Sequence, residues 1–144
     1  MPDIPIEFIS EEVEFTLKDV DKVKNWIAQV IAEHQLIIDN ITYIFCSDEY
    51  LYNINQTYLN HDTYTDIITF DNSDEEDTIE SDIFISIDRV KENASQLNIP
   101  FQDELHRVII HGVLHLIGYD DKDESSKAIM RQKENDYLSL RDFS

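Results

Sequence analysis

The segment HGVLHLIGYDD, residues 111–121, holds both glycines of the chain, Gly112 and Gly118, and two of its five histidines. Upstream, Pro100 has the fixed φ that suits the first turn of a helix, and the pattern that follows stays helical to about Ile117. Gly118 falls where that period stops, the place at which a glycine commonly ends a helix and turns the chain. The sequence therefore predicts a long helix over about 101–117 with His111 and His115 near its C-terminal end. Residues four apart project from one helix face, so the two imidazoles stand one turn above the other.

Working outward, IEFIS (6–10) reads as a strand, with EEVEFTL after it extended as well. From Asp19 the period changes: Val20, Val23, Ile27, Val30 and Ile31 mark an amphipathic helix ending near His34. ITYIF (41–45) is β-branched and aromatic and predicts a strand, after which Ser47 caps a helix carrying Tyr50, Leu51, Ile54 and Tyr58. DIITF (66–70) and DIFIS (82–86) are two further strands. Asp88 is placed to cap a short helix with Val90, Ala94 and Leu97, and a last helix spans roughly 124–139. The order β-α-β-α-β-β-α-α-α predicts an α+β fold: a single domain over 1–144 with a mixed sheet of about four strands covered by helices.

Composition bounds the function. Hydrophobic residues at 42% and charged residues at 29% fit an ordinary soluble domain. The start MPDIPIEFISEE has no basic, apolar signal-peptide pattern and no run is long enough to span a membrane, so a cytoplasmic location and no membrane partner are expected. Cys46, the lone cysteine, alternates like a strand residue and reads as a buried thiol in a reducing compartment. The 31 acids against 11 bases give a net charge of −20, which taken alone opposes nucleic-acid binding. Seven of those acids lie in DNSDEEDTIESD (71–82), which reads as a solvated loop.

The chemistry concentrates on residues 111–121. Two histidines on one helix face can share a metal ion, and the turn after Gly118 can swing Asp121, six residues past His115, toward it as a third ligand. Three protein ligands leave a fourth position open, as catalytic zinc requires. The pattern H-x-x-x-H-x-x-G-x-x-D has the spacing of the metzincin zinc motif, but Gly112 stands where those proteases keep a glutamate base, so peptidase chemistry of that type has lost its base. A mid-helix glycine costs about 1 kcal/mol relative to alanine, which predicts a compensation such as close approach of a backbone or room for substrate. His34 and His106 read as ordinary polar or interfacial residues.

HGVLHLIGYDD resembles the signature of the YbeY family of bacterial rRNA maturation factors, H-G-x-L-H-L-x-G-Y-D-H. The resemblance extends to NQTYLNHDTYTDIITF (55–70), to DIFIS with the helix after it (82–97) and to MRQKE (130–134). It implies a single-domain, zinc-dependent endoribonuclease acting in ribosomal RNA maturation near the 3′ end of small-subunit rRNA, and in ribosome quality control. One zinc ion would be held by His111, His115 and Asp121, with the RNA presented by the ribosome or a partner protein and no DNA expected.

Two positions depart from the family pattern. The third ligand is usually histidine and is Asp121 here, a change zinc chemistry accepts. An arginine usually follows the upstream tyrosine, where this chain has Leu59, which cannot clamp a phosphate. His61 offers a donor or a base, and is equally well a polar loop residue; Asp66 can orient a water or a histidine, or simply end a strand. Two other readings remain beside the ribonuclease: a non-catalytic zinc-stabilised ribosome-assembly factor, and a metal hydrolase of another substrate such as a peptide. Arg89, Lys91, Arg107 and Lys122 border the expected site, and their gathering on one rim would favour direct RNA contact.

Overall fold

The period-2 and period-3.6 stretches of the sequence sort into a sheet and its covering helices. A computed structural model of the chain describes residues 4–59, 65–75 and 77–141. Its elements are β1 (Ile6–Glu11), α1 (Val20–Glu33), β2 (Ile37–Cys46), α2 (Asp48–Leu59), β3 (Ile67–Asp71), β4 (Thr78–Ser86), α3 (Ile87–Leu97), α4 (Phe101–Ile117) and α5 (Glu124–Leu138), in the predicted order. The sheet runs β1-β2-β4-β3. β1 and β4 flank β2 in parallel, and β3 closes one edge antiparallel to β4. Among the described residues no helix is long and apolar enough to cross a membrane.

Alternation along the strands divides the interior. Tyr43, Phe45, Ile83 and Ile85 join Leu105, Val108, Ile109, Val113 and Leu114 of α4 and the buried face of α1 in the larger core. Cys46, Ile68, Phe70 and Phe84 point to the other face and meet Tyr50, Leu51 and Ile54 of α2. Each fully buried Ile or Leu side chain contributes about 1.5–3 kcal/mol. The Tyr43 hydroxyl donates to the Ile109 carbonyl at 3.1 Å and ties α4 to the central strand. Cys46 is buried and unpaired in a disulfide, as its strand pattern predicts.

Several local expectations need correction. EEVEFTL does not continue the strand: β1 ends at Glu11, and Glu12 with φ of 59° turns the chain away. The acidic segment 71–82 is not one solvated loop, because its ends pair as β3 and β4 with Asp71 opposite Ser81. Ser81 occupies an inward position that an apolar residue would normally take, and its hydroxyl donates to the Phe70 carbonyl at 2.7 Å. Asp88 does not cap its own helix. Ser86 does so, accepting from the Arg89 amide, whereas Asp88 accepts from the Asp48 amide at 2.9 Å and caps α2 from the side. Ser47 assists at that same end by accepting from the Tyr50 amide. Pro100 sits just before the first turn of α4, in extended conformation at the N-cap.

Candidate functional site

α4 carries the site because its two sides meet different surroundings. Gly112, Val113 and Leu114 are buried, while His111 is half-buried and His115 is exposed. A Cβ on Gly112 would come within 3.1 Å of Ile67 Cδ1 and 3.3 Å of Ile83 Cδ1. The compensation for this glycine is therefore close packing on isoleucine side chains of β3 and β4, not backbone approach or room for substrate. Gly118, at φ 126°, ends the helix with its amide directed to the Leu114 and His115 carbonyls, and the Tyr119 amide also reaches Leu114. That turn returns the chain so that Asp121 Oδ2 lies 3.6 Å from His111 Nε2.

The opposite ring nitrogen is held from α5. His111 Nδ1 donates to Glu134 Oε2 at 2.7 Å, and Arg107 Nη1 donates to Glu134 Oε1 at 3.1 Å. Arg107 is bonded in turn to the fully buried carboxylate of Glu104. Burial opposes charge on His111, but the Glu134 bond and the charges of Glu134, Asp121 and Asp66 outweigh it and raise its pKa above the ordinary imidazole value. Burial likewise opposes ionisation of Glu134, yet His111 and Arg107 hold its pKa below the usual glutamate value. The result is a chain of alternating charges, Glu104, Arg107 and Glu134, that ends on His111 and, in the neutral ring, holds the proton on Nδ1 so that Nε2 faces Asp121 with its lone pair.

Arg107, His111, Asp121 and Glu134 line a cleft of about 720 Å³ between β3, α4 and α5. His115 and Asp66 are on its wall with His111 and Asp121. Nitrogen and oxygen ligands of a tetrahedral zinc, bound at roughly 2.0–2.1 Å, stand about 3.4 Å apart, so the His111–Asp121 pair has the spacing and the free lone pairs that such an ion needs. Among the described residues no three His, Cys, Asp or Glu side chains are gathered into one such group. His115 shares the cleft without closing on the pair. His61 lies outside the described residues, and Leu59, 41% exposed at the end of α2, is not among the described lining residues of the cleft.

Of the four cations on elements bordering the expected site, Arg89, Lys91, Arg107 and Lys122, only Arg107 is in the described cleft lining, so they do not gather there on one rim. Arg89 is bound to Asp48 at 2.8 Å and to Glu92, where it joins α3 to α2. Sequence reasoning missed Glu134, although MRQKE contains it, because nothing local in α5 marks which of its charges turns inward. Of the two readings of His106, polar or interfacial, the interfacial one holds. The residue is 2% exposed against Trp26, and Arg141 Nη1 donates to its Nδ1 at 2.6 Å. Burial and then the Arg141 charge push its pKa down to about 4.

An α+β sandwich with a histidine–carboxylate cleft at the end of its buried helix defines a class of protein, and comparison with known proteins specifies the family. The family model described as endoribonuclease YbeY matches residues 6–141. A protein of Cytophaga hutchinsonii named endoribonuclease YbeY is 48% identical over 99% of this chain and 100% of its own length. One of Flavobacterium psychrophilum with the same name is 49% identical over 90% of this chain and 91% of its own. A solution structure from Thermotoga maritima superposes with a TM-score of 0.66 at 28% identity, covering 93% of this chain and 87% of that one. The chain belongs to the endoribonuclease YbeY family, whose members are hydrolases acting on RNA.

Proposed function

We propose that this protein is a zinc-dependent endoribonuclease that cuts single-stranded ribosomal RNA during maturation of the small-subunit 3′ end and serves ribosome quality control. The observation that carries the reading is His111, locked by Glu134 on one nitrogen and facing Asp121 at 3.6 Å with the other. His111, His115 and Asp121 would hold the ion, with His115 rotating in from the exposed cleft wall. Bound there, zinc would supply Lewis acidity to a phosphoryl oxygen and to water near neutral pH.

The remaining steps belong to the chain's own groups. Glu134 keeps His111 Nδ1 protonated, so that Nε2 stays an acceptor. Asp66, at the start of the edge strand and facing the same cleft, is positioned to orient an attacking water or to accept its proton. Arg107 works through Glu134 and is not the phosphate clamp, since both its neighbours are carboxylates. Gly112 occupies the position next to His111 in sequence where the metzincin motif keeps its glutamate, which leaves the peptidase alternative without that base.

Metal analysis of the purified protein, with cleavage of a single-stranded RNA compared between wild type, His115→Ala and Asp121→Ala, tests the reading. One zinc per chain and cleavage lost in both variants are expected. Cleavage by zinc-free His115→Ala would overturn the metal-hydrolase mechanism, and zinc without cleavage in the wild type would favour the assembly-factor alternative.

A further inference from the structure

An RNA-cutting site on a chain of net charge −20 needs a local place where phosphates are welcome. The described cleft lining supplies one. It carries three bases, Arg107, Lys127 and Arg131, against three acids, Asp66, Asp121 and Glu134, whereas the whole chain carries 11 against 31. Arg107 is committed to Glu104 and Glu134. Arg131 is held only loosely, 3.9 Å from a Glu134 oxygen that already accepts from Arg107, and its side chain is 58% exposed. Lys127 is exposed and makes no ion pair among the described residues. The two residues are four apart on α5, hence on one face and about 6 Å apart along the helix axis.

We propose that Lys127 and Arg131 form the phosphate-binding ladder of the cleft, taking consecutive phosphates of a single RNA strand and laying it along α5 past His111, His115 and Asp121. The proposal rests on the ribonuclease reading and names the wall on which its substrate is held. The geometry suits the chemistry: an ammonium and a guanidinium at adjacent turns offer donors to two neighbouring phosphates, while the bases remain free to face β3 across the cleft. Such contacts read the backbone and not the sequence.

The experiment measures binding of a short fluorescent single-stranded RNA by the full chain at 0.05–0.3 M salt. It compares wild type, Lys127→Ala/Arg131→Ala, and the charge-preserving Lys127→Arg/Arg131→Lys. Alanine is the best helix former and both positions are exposed, so α5 is retained, which circular dichroism checks. Each phosphate contact on a single strand contributes about 0.7 to the salt slope, so the alanine variant should lose about 1.4 from it and bind roughly 25-fold more weakly at 0.1 M salt. The charge-preserving variant should bind within about threefold of wild type by the same electrostatic argument. Equal affinity and slope for wild type and the alanine variant, with wild type still cutting RNA, would overturn the ladder and leave the ribonuclease reading intact. A wild type that neither binds nor cuts RNA would overturn both.

Discussion

Replacing Glu134 with glutamine keeps the side chain's size and removes one of its two acceptor ends. The carboxylate now accepts from His111 Nδ1 at 2.7 Å and from Arg107 Nη1 at 3.1 Å. Arg107 can only donate, so the amide oxygen of glutamine would turn to it and its NH₂ would face His111. The imidazole must then carry its proton on Nε2, the nitrogen that faces Asp121, and that nitrogen can no longer take a metal. The other amide orientation keeps the histidine bond and sets two donors against each other beside Arg107, at about 1–3 kcal/mol. The first orientation loses the metal-binding tautomer and the second leaves His111 a neutral amide oxygen, a weaker partner than a carboxylate, so zinc affinity should fall about 10–100-fold, equivalent to about 1.4–2.8 kcal/mol. Loss of a charge-assisted hydrogen bond at a residue only 2% exposed should also cost the metal-free protein about 1.5–3 kcal/mol. Chelator competition at pH 7 measures the first quantity, and urea unfolding in EDTA measures the second. A Glu134→Gln protein that binds zinc within twofold of wild type and keeps its urea midpoint would refute the argument that this carboxylate sets the tautomer.

Other perturbations follow from the same packing. Gly112→Ala gains about 1 kcal/mol of helix propensity but presses a methyl within 3.1 Å of Ile67 and 3.3 Å of the fully buried Ile83; overpacking of about 1–3 kcal/mol should win, and a raised urea midpoint would contradict it. Gly118→Ala meets no neighbour but must hold φ 126°, so it should lose about 1–3 kcal/mol in urea unfolding and weaken zinc binding as Asp121 shifts. His106 has a folded pKa of about 4 against 6.5 in the unfolded chain. The unfolded state therefore binds more protons between those values, and stability present above pH 6.5 is lost as pH falls toward 4. Over that window wild type should lose up to about 3 kcal/mol more than His106→Gln, read from urea unfolding at each pH.

The order of the nine elements among the described residues was readable because long apolar periodicities dominate: Val23, Ile27, Val30 and Ile31 could only be one face of a helix. β4 was harder to delimit, since its inward row Ile79, Ser81, Ile83 and Ile85 includes a serine satisfied by a partner strand that the sequence does not announce. Caps fared similarly. Ser47 acts on its own helix, a local event, but Asp88 reaches an amide forty residues away. At the site, the spacing of His111, His115, Gly118 and Asp121 was legible because one helix and its end fix it. Arg107 was legible as a cation bordering the site, but Glu134 and its bond to Arg107 were not, for that contact joins positions 27 apart on two helices whose packing the polar surface of α5 does not encode locally. Lys127 and Arg131 looked like any other charges on that surface until the cleft gave them a direction.

Between the two site histidines lie only Gly112, Val113 and Leu114, all buried, with Gly112 against the sheet. The reactive edge of α4 and its deepest anchor are thus a single turn of one rigid rod, while Asp121 and Glu134 arrive on separate segments. Any substitution that lets this rod slide along the strands carries both imidazoles out of alignment together. The volumes of Ile67 and Ile83 therefore bear on the cleft as well as on the core, because both touch the position between the two histidines.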